Sequence, residues 1–409
     1  MEMMQTISAN ILRLLDESGT TSTELAKNLG ITRQTLANYL KGNTVIDTLK
    51  LLQISDFFNV SVNDLLGCEQ NRKPVLLFRT ALNYTEAIDQ CSEKITSYIE
   101  RYSQLAKATG RNISFSPEQY NLQIEVDNNI IDINYELDDY TSKYKLTEKL
   151  DSELEYIANE QRRLLGLEDL GAISLISAIT TRGINVVFLD FGGPDMFGLS
   201  VCDNLYGSFI FINDSNAITA ERKLFTLAHE YGHLLLHRPL YSKRIEQYMP
   251  KNNKNSILDS MADCFAGYLL CPYAIIKKNF DTLSALKSLS DLIPIKLSLQ
   301  ISLSSLMTNL HKYNFVNKST LTSYFTFLKQ EKIEKKEISS FIENNTLKGL
   351  FQSEKQKQQI ILLKSAYKRN LITNSDVEFF LNVSGIVASD IMSSWSVEIN
   401  TIAAHDFQF

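Results

Sequence analysis

The chain lacks any long apolar run. No stretch approaches the roughly 18 consecutive apolar residues a membrane-spanning helix needs, which excludes that class of protein. The opening Met-Glu-Met-Met-Gln does not read as a secretory leader, so the expected compartment is the cytoplasm. Cysteines are few, odd in number and scattered (68, 91, 202, 264 and 271), with neither the even set of a disulfide framework nor the paired spacing of a cysteine metal site. Reduced thiols are the expectation, with Cys264 and Cys271 as packing residues. Excess positive charge is also missing. A net charge of −6 argues against a protein that coats polyanions generally. Repeats and low-complexity tracts are absent as well.

What remains is the composition of a globular protein, 44% hydrophobic and 22% charged, on 409 residues, which predicts about two to four domains. Histidine is rare, with five in the whole chain, yet three fall in Phe225-Thr-Leu-Ala-His-Glu-Tyr-Gly-His-Leu-Leu-Leu-His237. This stretch contains His229-Glu230-Tyr231-Gly232-His233, a match to His-Glu-x-x-His. Helical residues four apart share a face, so His229 and His233 can point ring nitrogens at one ion. Glu230 follows the first histidine directly, where its carboxylate can serve as general base without binding the metal. The apolar flanks predict a buried helix, in which unpaired histidines and a glutamate would be costly. Gly232 costs about 1 kcal/mol relative to Ala within a helix, which predicts a close neighbour there. The expected cofactor is Zn2+.

Catalytic zinc takes three protein ligands and keeps a fourth position open. His237 sits one turn too far along a straight helix to converge on the same ion and reads as a capping or orienting histidine. The pattern with a third histidine six residues after the second fails, because position 239 is Pro. The ligand must come from another element, and Ile257 to Pro272, a helical run, carries Asp259 and Asp263 four residues apart. Asp259 is taken as the ligand and Asp263 as the carboxylate that hydrogen-bonds a ligand histidine, although spacing alone leaves their order open. Glu246 is a more distant alternative.

Phe-Thr-Leu-Ala-His-Glu-Tyr-Gly-His followed by Ala-Asp-x-Phe-Ala-x-x-Leu-Leu-x-Pro resembles the ImmA/IrrE family of bacterial metallopeptidases. The resemblance implies a zincin-like domain, a third ligand from the second helix, and cleavage of a partner repressor or antitoxin. Family members usually carry Glu where Asp259 stands here, and the shorter side chain is a departure.

The first 68 residues read as a small helical bundle. Thr21-Ser-Thr-Glu24 fits a capping box, Gly30 breaks that helix, and Thr32 caps Arg33 to Leu40, a helix–turn–helix cadence. This stretch resembles the Xre/Cro-type DNA-binding domain. The resemblance puts the second helix in the major groove of double-stranded DNA, with Arg33, Gln34 and Asn38 on base edges and Thr32, Lys41 and Asn43 at phosphates. Leu36, Ala37 and Leu40 are assigned to the core. The net charge of this stretch is −2, so a lone domain should bind weakly and a homodimer on a two-fold operator is expected.

The expected fold class is multidomain and mainly α, with an N-terminal all-α helix-turn-helix bundle and a small α+β zincin-like domain. The expected divisions are 1–68 for DNA binding, 69–148 for a helical linker plus a β-hairpin insert, 149–275 for the metallopeptidase domain, and 276–409 for a helical C-terminal region. Residues 80–110 read as a spacer or dimer-forming helix, and the hairpin within 116–137 has no assigned role. Three strands are expected near 183–189, 199–202 and 207–213, with Ser208–Ile212 as an edge able to pair with a substrate backbone. Residues 371–391 show a second helix-turn-helix-like cadence. The function these readings support is a DNA-binding transcriptional regulator fused to a zinc peptidase. The alternative is a non-catalytic repressor that uses the peptidase fold as a sensing or interaction module.

Overall fold

The computed structural model describes the chain except residues 1, 59, 61, 67–76, 81–85, 111–117, 127–128, 134–144, 169–170, 192–195, 204–205, 240–256, 281–288, 331–344, 384–386, 390, 394 and 396–409. It is mainly helical and falls into two compact units, Met1–Lys73 and Pro74–Phe409. Among the described residues no helix is long and apolar enough to cross a membrane.

The first unit packs five helices: α1 (Glu2–Ser18), α2 (Ser22–Asn28), α3 (Arg33–Leu40), α4 (Thr48–Phe58) and α5 (Val62–Leu66). Its local signals are met in detail. The Thr21 hydroxyl accepts from the Glu24 amide while the Glu24 carboxylate accepts from the Thr21 amide, so the capping box is closed in both directions. Gly30 then turns the chain at φ +63°, a conformation most side chains resist. Leu25, Leu29, Leu36 and Tyr39 join Ile11 and Ile54 in the core. Tyr39 rather than Ala37 is the second buried position of α3, and Ala37 and Leu40 are half-buried.

The second unit is built on a four-stranded mixed sheet in the order β1 (Leu77–Thr80), β5 (Met196–Asp203), β6 (Gly207–Asn213), β4 (Asn185–Leu189). β4 and β6 run parallel, and β5 is antiparallel to both β6 and β1. Strand period sorts the side chains onto two faces. Val186, Phe188, Ile210 and Ile212 enter one core with α9 (Ala220–Leu236), α10 (Ile257–Leu270), α7 (Glu148–Leu164) and α8 (Ser174–Thr181). Val187, Leu189, Leu199, Val201, Phe209 and Phe211 enter the other, closed by α6 (Glu86–Thr109), α15 (Asn345–Lys368) and α16 (Asn374–Val383). The remaining described elements are a hairpin, β2 (Gln123–Val126) with β3 (Asn129–Asp132), and the helices α11 (Tyr273–Phe280), α12 (Ile293–Leu299), α13 (Leu303–Lys312) and α14 (Lys318–Gln330).

Several expectations change here. The stretch read as a spacer helix is α6, a core helix: Tyr98 meets Phe211 and Phe380 edge-on, and Tyr102 meets Phe209. β6 is interior to the sheet, flanked by β5 and β4, so Ser208–Ile212 cannot offer a backbone edge to a substrate. The edges are β1 and β4, and β1 was not foreseen. Within the cadence at 371–391, α16 buries Val377, Phe380 and Leu381 in the core on that face of the sheet. Trp395 is buried in the same core, its ring tilted against that of Tyr367 at 5.8 Å between centroids. The tail Phe407–Phe409 lies outside the described residues.

The segment just before the hairpin, together with α7, holds the end of α9. The Tyr120 amide donates to the Leu235 carbonyl, one of the carbonyls a helix end leaves without an internal partner. The Gln161 side chain donates to the Tyr120 hydroxyl and accepts from the Tyr231 hydroxyl. At the other end of α9, Lys296 of α12 donates to Glu221 across 2.7 Å, an ion pair with both partners buried.

Candidate metal centre

α9 starts on a cap, with the Thr219 hydroxyl accepting from the Arg222 amide at 3.2 Å. It lies pressed between β5 and α10, and a glycine marks each contact. A Cβ at Gly198 of β5 would meet Thr226 Cγ2 at 2.6 Å and Glu230 Cγ at 3.5 Å. A Cβ at Gly232 would meet Phe265 Cδ1 of α10 at 2.9 Å and Ala262 Cα at 3.5 Å. The close neighbour expected at Gly232 is therefore Phe265, and the approach brings α10 and its two aspartates against the histidines.

His229 Nε2 and His233 Nε2 stand 3.0 Å apart, one helical turn removed. Asp259 Oδ1 lies 3.8 Å from the first and 3.6 Å from the second. All three ligand atoms fall within 4.8 Å of one another. Ligands about 2.0–2.1 Å from a tetrahedral zinc are separated by about 3.3 Å, so the triangle matches the ion's geometry without rearrangement. The donor set of two imidazoles and one carboxylate suits zinc, and with three protein ligands it leaves a coordination position open. His229 is fully buried, whereas the Asp259 side chain is 36% exposed, so the triangle opens to solvent on the α10 side.

Each histidine is oriented through its other nitrogen. With Nε2 turned to the ion, His229 Nδ1–H donates to Asp263 Oδ1 at 2.8 Å. His233 Nδ1 faces His237 Nδ1 at 2.8 Å. For His233 to present a bare Nε2, its Nδ1 must carry the proton and His237 must accept it. His237 fits that role. It caps the C-terminal end of α9, and burial, reinforced by the nearby His233, pushes its pKa well below the ordinary histidine value, so it stays neutral. Asp259 and Asp263 thus face different nitrogens of the same pair of rings. The Glu230 carboxylate belongs to neither set. Its Oε2 accepts from the Ser200 hydroxyl of β5 at 2.6 Å, which holds the carboxylate on the sheet side of α9.

Ser200 escaped sequence reasoning, although a signal was present: it is a polar residue within an apolar strand, and buried hydroxyls take partners. Glu246 lies outside the described residues. In the first unit, Thr32, Arg33, Gln34, Lys41 and Asn43 are exposed and Asn38 is half-buried along α3 and the turn after it. The Thr32 hydroxyl is already engaged, accepting from the Thr35 amide at 3.1 Å as the α3 cap.

Two family models match. The model described as IrrE N-terminal-like domain covers residues 179–285, which contain β4 to α11 and every member of the triangle. The helix-turn-helix model covers residues 11–65. No curated protein and no solved structure matches the chain.

Proposed function

We propose, from the premise that this chain joins a helix-turn-helix DNA-binding domain to an IrrE N-terminal-like metallopeptidase domain, that it is a transcriptional regulator whose second unit is a zinc-dependent peptidase. The protein substrate is a partner repressor or antitoxin, as the family resemblance implies. The observation that carries this reading is the division of labour on α9. Two imidazoles share one triangle with Asp259, while Glu230, adjacent in sequence, stays outside that ligand set with its carboxylate held by Ser200. A purely structural zinc site has four protein ligands and no use for a carboxylate held in reserve.

Zinc supplies Lewis acidity to a peptide carbonyl and lowers the pKa of a water molecule to about 7. With the metal bound, Glu230 would be the general base that takes a proton from water and the general acid that gives it to the leaving amine. Ser200 keeps the carboxylate aimed through a short hydrogen bond. Asp263 and His237 fix the ring orientations of His229 and His233. In the first unit, Arg33, Gln34 and Asn38 read base edges and Lys41 meets phosphate, with dimerisation providing avidity on a two-fold site.

The test is zinc per chain together with cleavage of unfolded casein, in wild type, Glu230→Gln and His233→Ala. Expected are about one zinc in wild type and Glu230→Gln, none in His233→Ala, and cleavage in wild type alone. Zinc retained without any cleavage in wild type would favour the non-catalytic repressor. No zinc in wild type after refilling would remove the peptidase reading altogether.

A further inference from the structure

Within the matched residues 179–285 the sheet has only three strands, β5, β6 and β4, and its outer ladder on the β5 side would be open. That ladder is the one beside the site. On the inner face of β5, Ser200 donates to Glu230 and Gly198 lies against the Glu230 Cγ. In the folded chain the ladder is taken by β1, a segment that precedes the matched domain by about a hundred residues. Leu77 stands opposite Ser200, Phe78 opposite Leu199 and Arg79 opposite Gly198. The chain's own backbone therefore runs along the two β5 positions that meet Glu230.

β1 is the shortest strand of the sheet and an irregular one. It is four residues long, pairs on one side only, and its register breaks between Arg79 and Thr80. β6, by contrast, is buried throughout and paired on both sides. Holding Thr80 beside Met196 also closes a long loop, an entropic cost that four residues of ladder offset only in part. Short edge elements of this kind open at lower free energy than central strands. β1 also lies in the covalent path between the two units, the first of which ends at Lys73.

We propose that β1 is a displaceable self-strand: the extended backbone of the protein substrate pairs antiparallel with β5 in its place, so that seated β1 competes with substrate and slows cleavage without abolishing it. The proposal rests on the peptidase reading of the site. Extended peptides add to open sheet edges through backbone hydrogen bonds, and β1 demonstrates that this ladder accepts an antiparallel strand. Release requires nothing at the metal triangle, only loss of the four-residue pairing.

The experiment uses the full chain and a fluorescently labelled synthetic peptide with the sequence of residues 74–82, read by anisotropy. Leu77→Pro and Phe78→Pro are compared with wild type, because neighbouring amides in a strand point to opposite sides and one of the two prolines must remove a ladder hydrogen bond. The vacated variant is expected to bind the peptide at least about tenfold more tightly than wild type, with no binding of a scrambled sequence. Equal binding by wild type and both variants, or no binding by variants that keep the wild-type melting profile, overturns the proposal. Hydrogen exchange on wild type provides a second reading that needs no variant: amides 77–80 should exchange at least about a hundredfold faster than those of β6. Protection equal to β6 makes β1 an integral strand and sinks the idea. Peptide binding requires neither zinc nor Glu230, so failure of the peptidase reading appears separately, as a peptide bound by the vacated variant and left uncut.

Discussion

Gly232→Ala isolates the contact on which the metal triangle depends. In helix propensity the change is favourable, by about 1 kcal/mol. Sterically it is not, because the new Cβ would stand 2.9 Å from Phe265 Cδ1 and 3.5 Å from Ala262 Cα. Phe265 is fully buried and its ring cannot swing aside, so the strain falls on the spacing of α9 and α10. Overpacking of this kind costs about 1–3 kcal/mol, which outweighs the propensity gain and leaves a net loss of about 0–2 kcal/mol. The larger effect is on metal. Asp259 and Asp263 ride on α10, so widening the gap draws one carboxylate from the triangle and the other from His229 Nδ1. Zinc affinity, measured by chelator competition, should fall about tenfold or more. Phe265→Leu in the same chain should recover part of both losses, a coupling that neither single change would show. A Gly232→Ala protein about 1 kcal/mol more stable than wild type with unchanged zinc affinity would refute the argument, since propensity alone would then govern the site.

Asp259→Ala should abolish tight zinc binding, whereas Asp263→Asn should weaken it about 10–100-fold, and equilibrium dialysis separates the two. Ser200→Ala should leave zinc content unchanged and lower the rate of casein cleavage, since the hydroxyl touches Glu230 and no member of the triangle. Asp151 gives a pH-dependent outcome. Burial raises its carboxyl pKa, but hydrogen bonds from Cys264 and Tyr268 and the Lys312 ammonium together hold it below the ordinary value of 3.8. A depressed carboxyl pKa contributes stability above the unfolded value that disappears as pH falls through the folded one. The stability gap between wild type and Asp151→Asn in urea titrations should therefore be full at neutral pH and close below about pH 4. In the first unit, Arg33→Ala or Gln34→Ala should cost about 1–3 kcal/mol on a preferred DNA site and relax base preference, while Lys41→Ala should weaken all sequences alike and lower the salt dependence.

The parts of this molecule that were legible in the sequence are those decided by near neighbours. The capping box at Thr21 and Glu24, the turn at Gly30 and the cap at Thr32 each settle within four residues, and the helices follow. The pairing of His229 with His233 is likewise a matter of one helical turn, and Gly232 signalled a close neighbour by its own cost. What was hidden depends on distant partners. β1 is four residues whose only ladder partner lies more than a hundred positions away, and no local period announces it. The interior position of β6 follows from the parallel pairing with β4, a topological fact that β6 does not itself encode. The distinct placements of Asp259 and Asp263 arise from how α10 crosses α9, which two carboxylates on one helical face cannot reveal. Ser200 became meaningful only once β5 was laid beside Glu230.

The two-faced sheet carries a consequence for how this protein can be divided. The stretch 179–285 contains the whole triangle, but Phe209, Phe211, Leu199 and Val201 on the far face of its sheet are sheltered by α6 from before it and by α15 and α16 from after it. Sequence similarity draws a boundary where folding does not. Cut out alone, that stretch would present a sheet of aromatic and aliphatic side chains to water and would associate through it. α15 and α16 thus belong to the same packed unit as the histidines, and a truncation that removes them should destabilise the metal triangle by unfolding, although it lies well beyond the site in sequence.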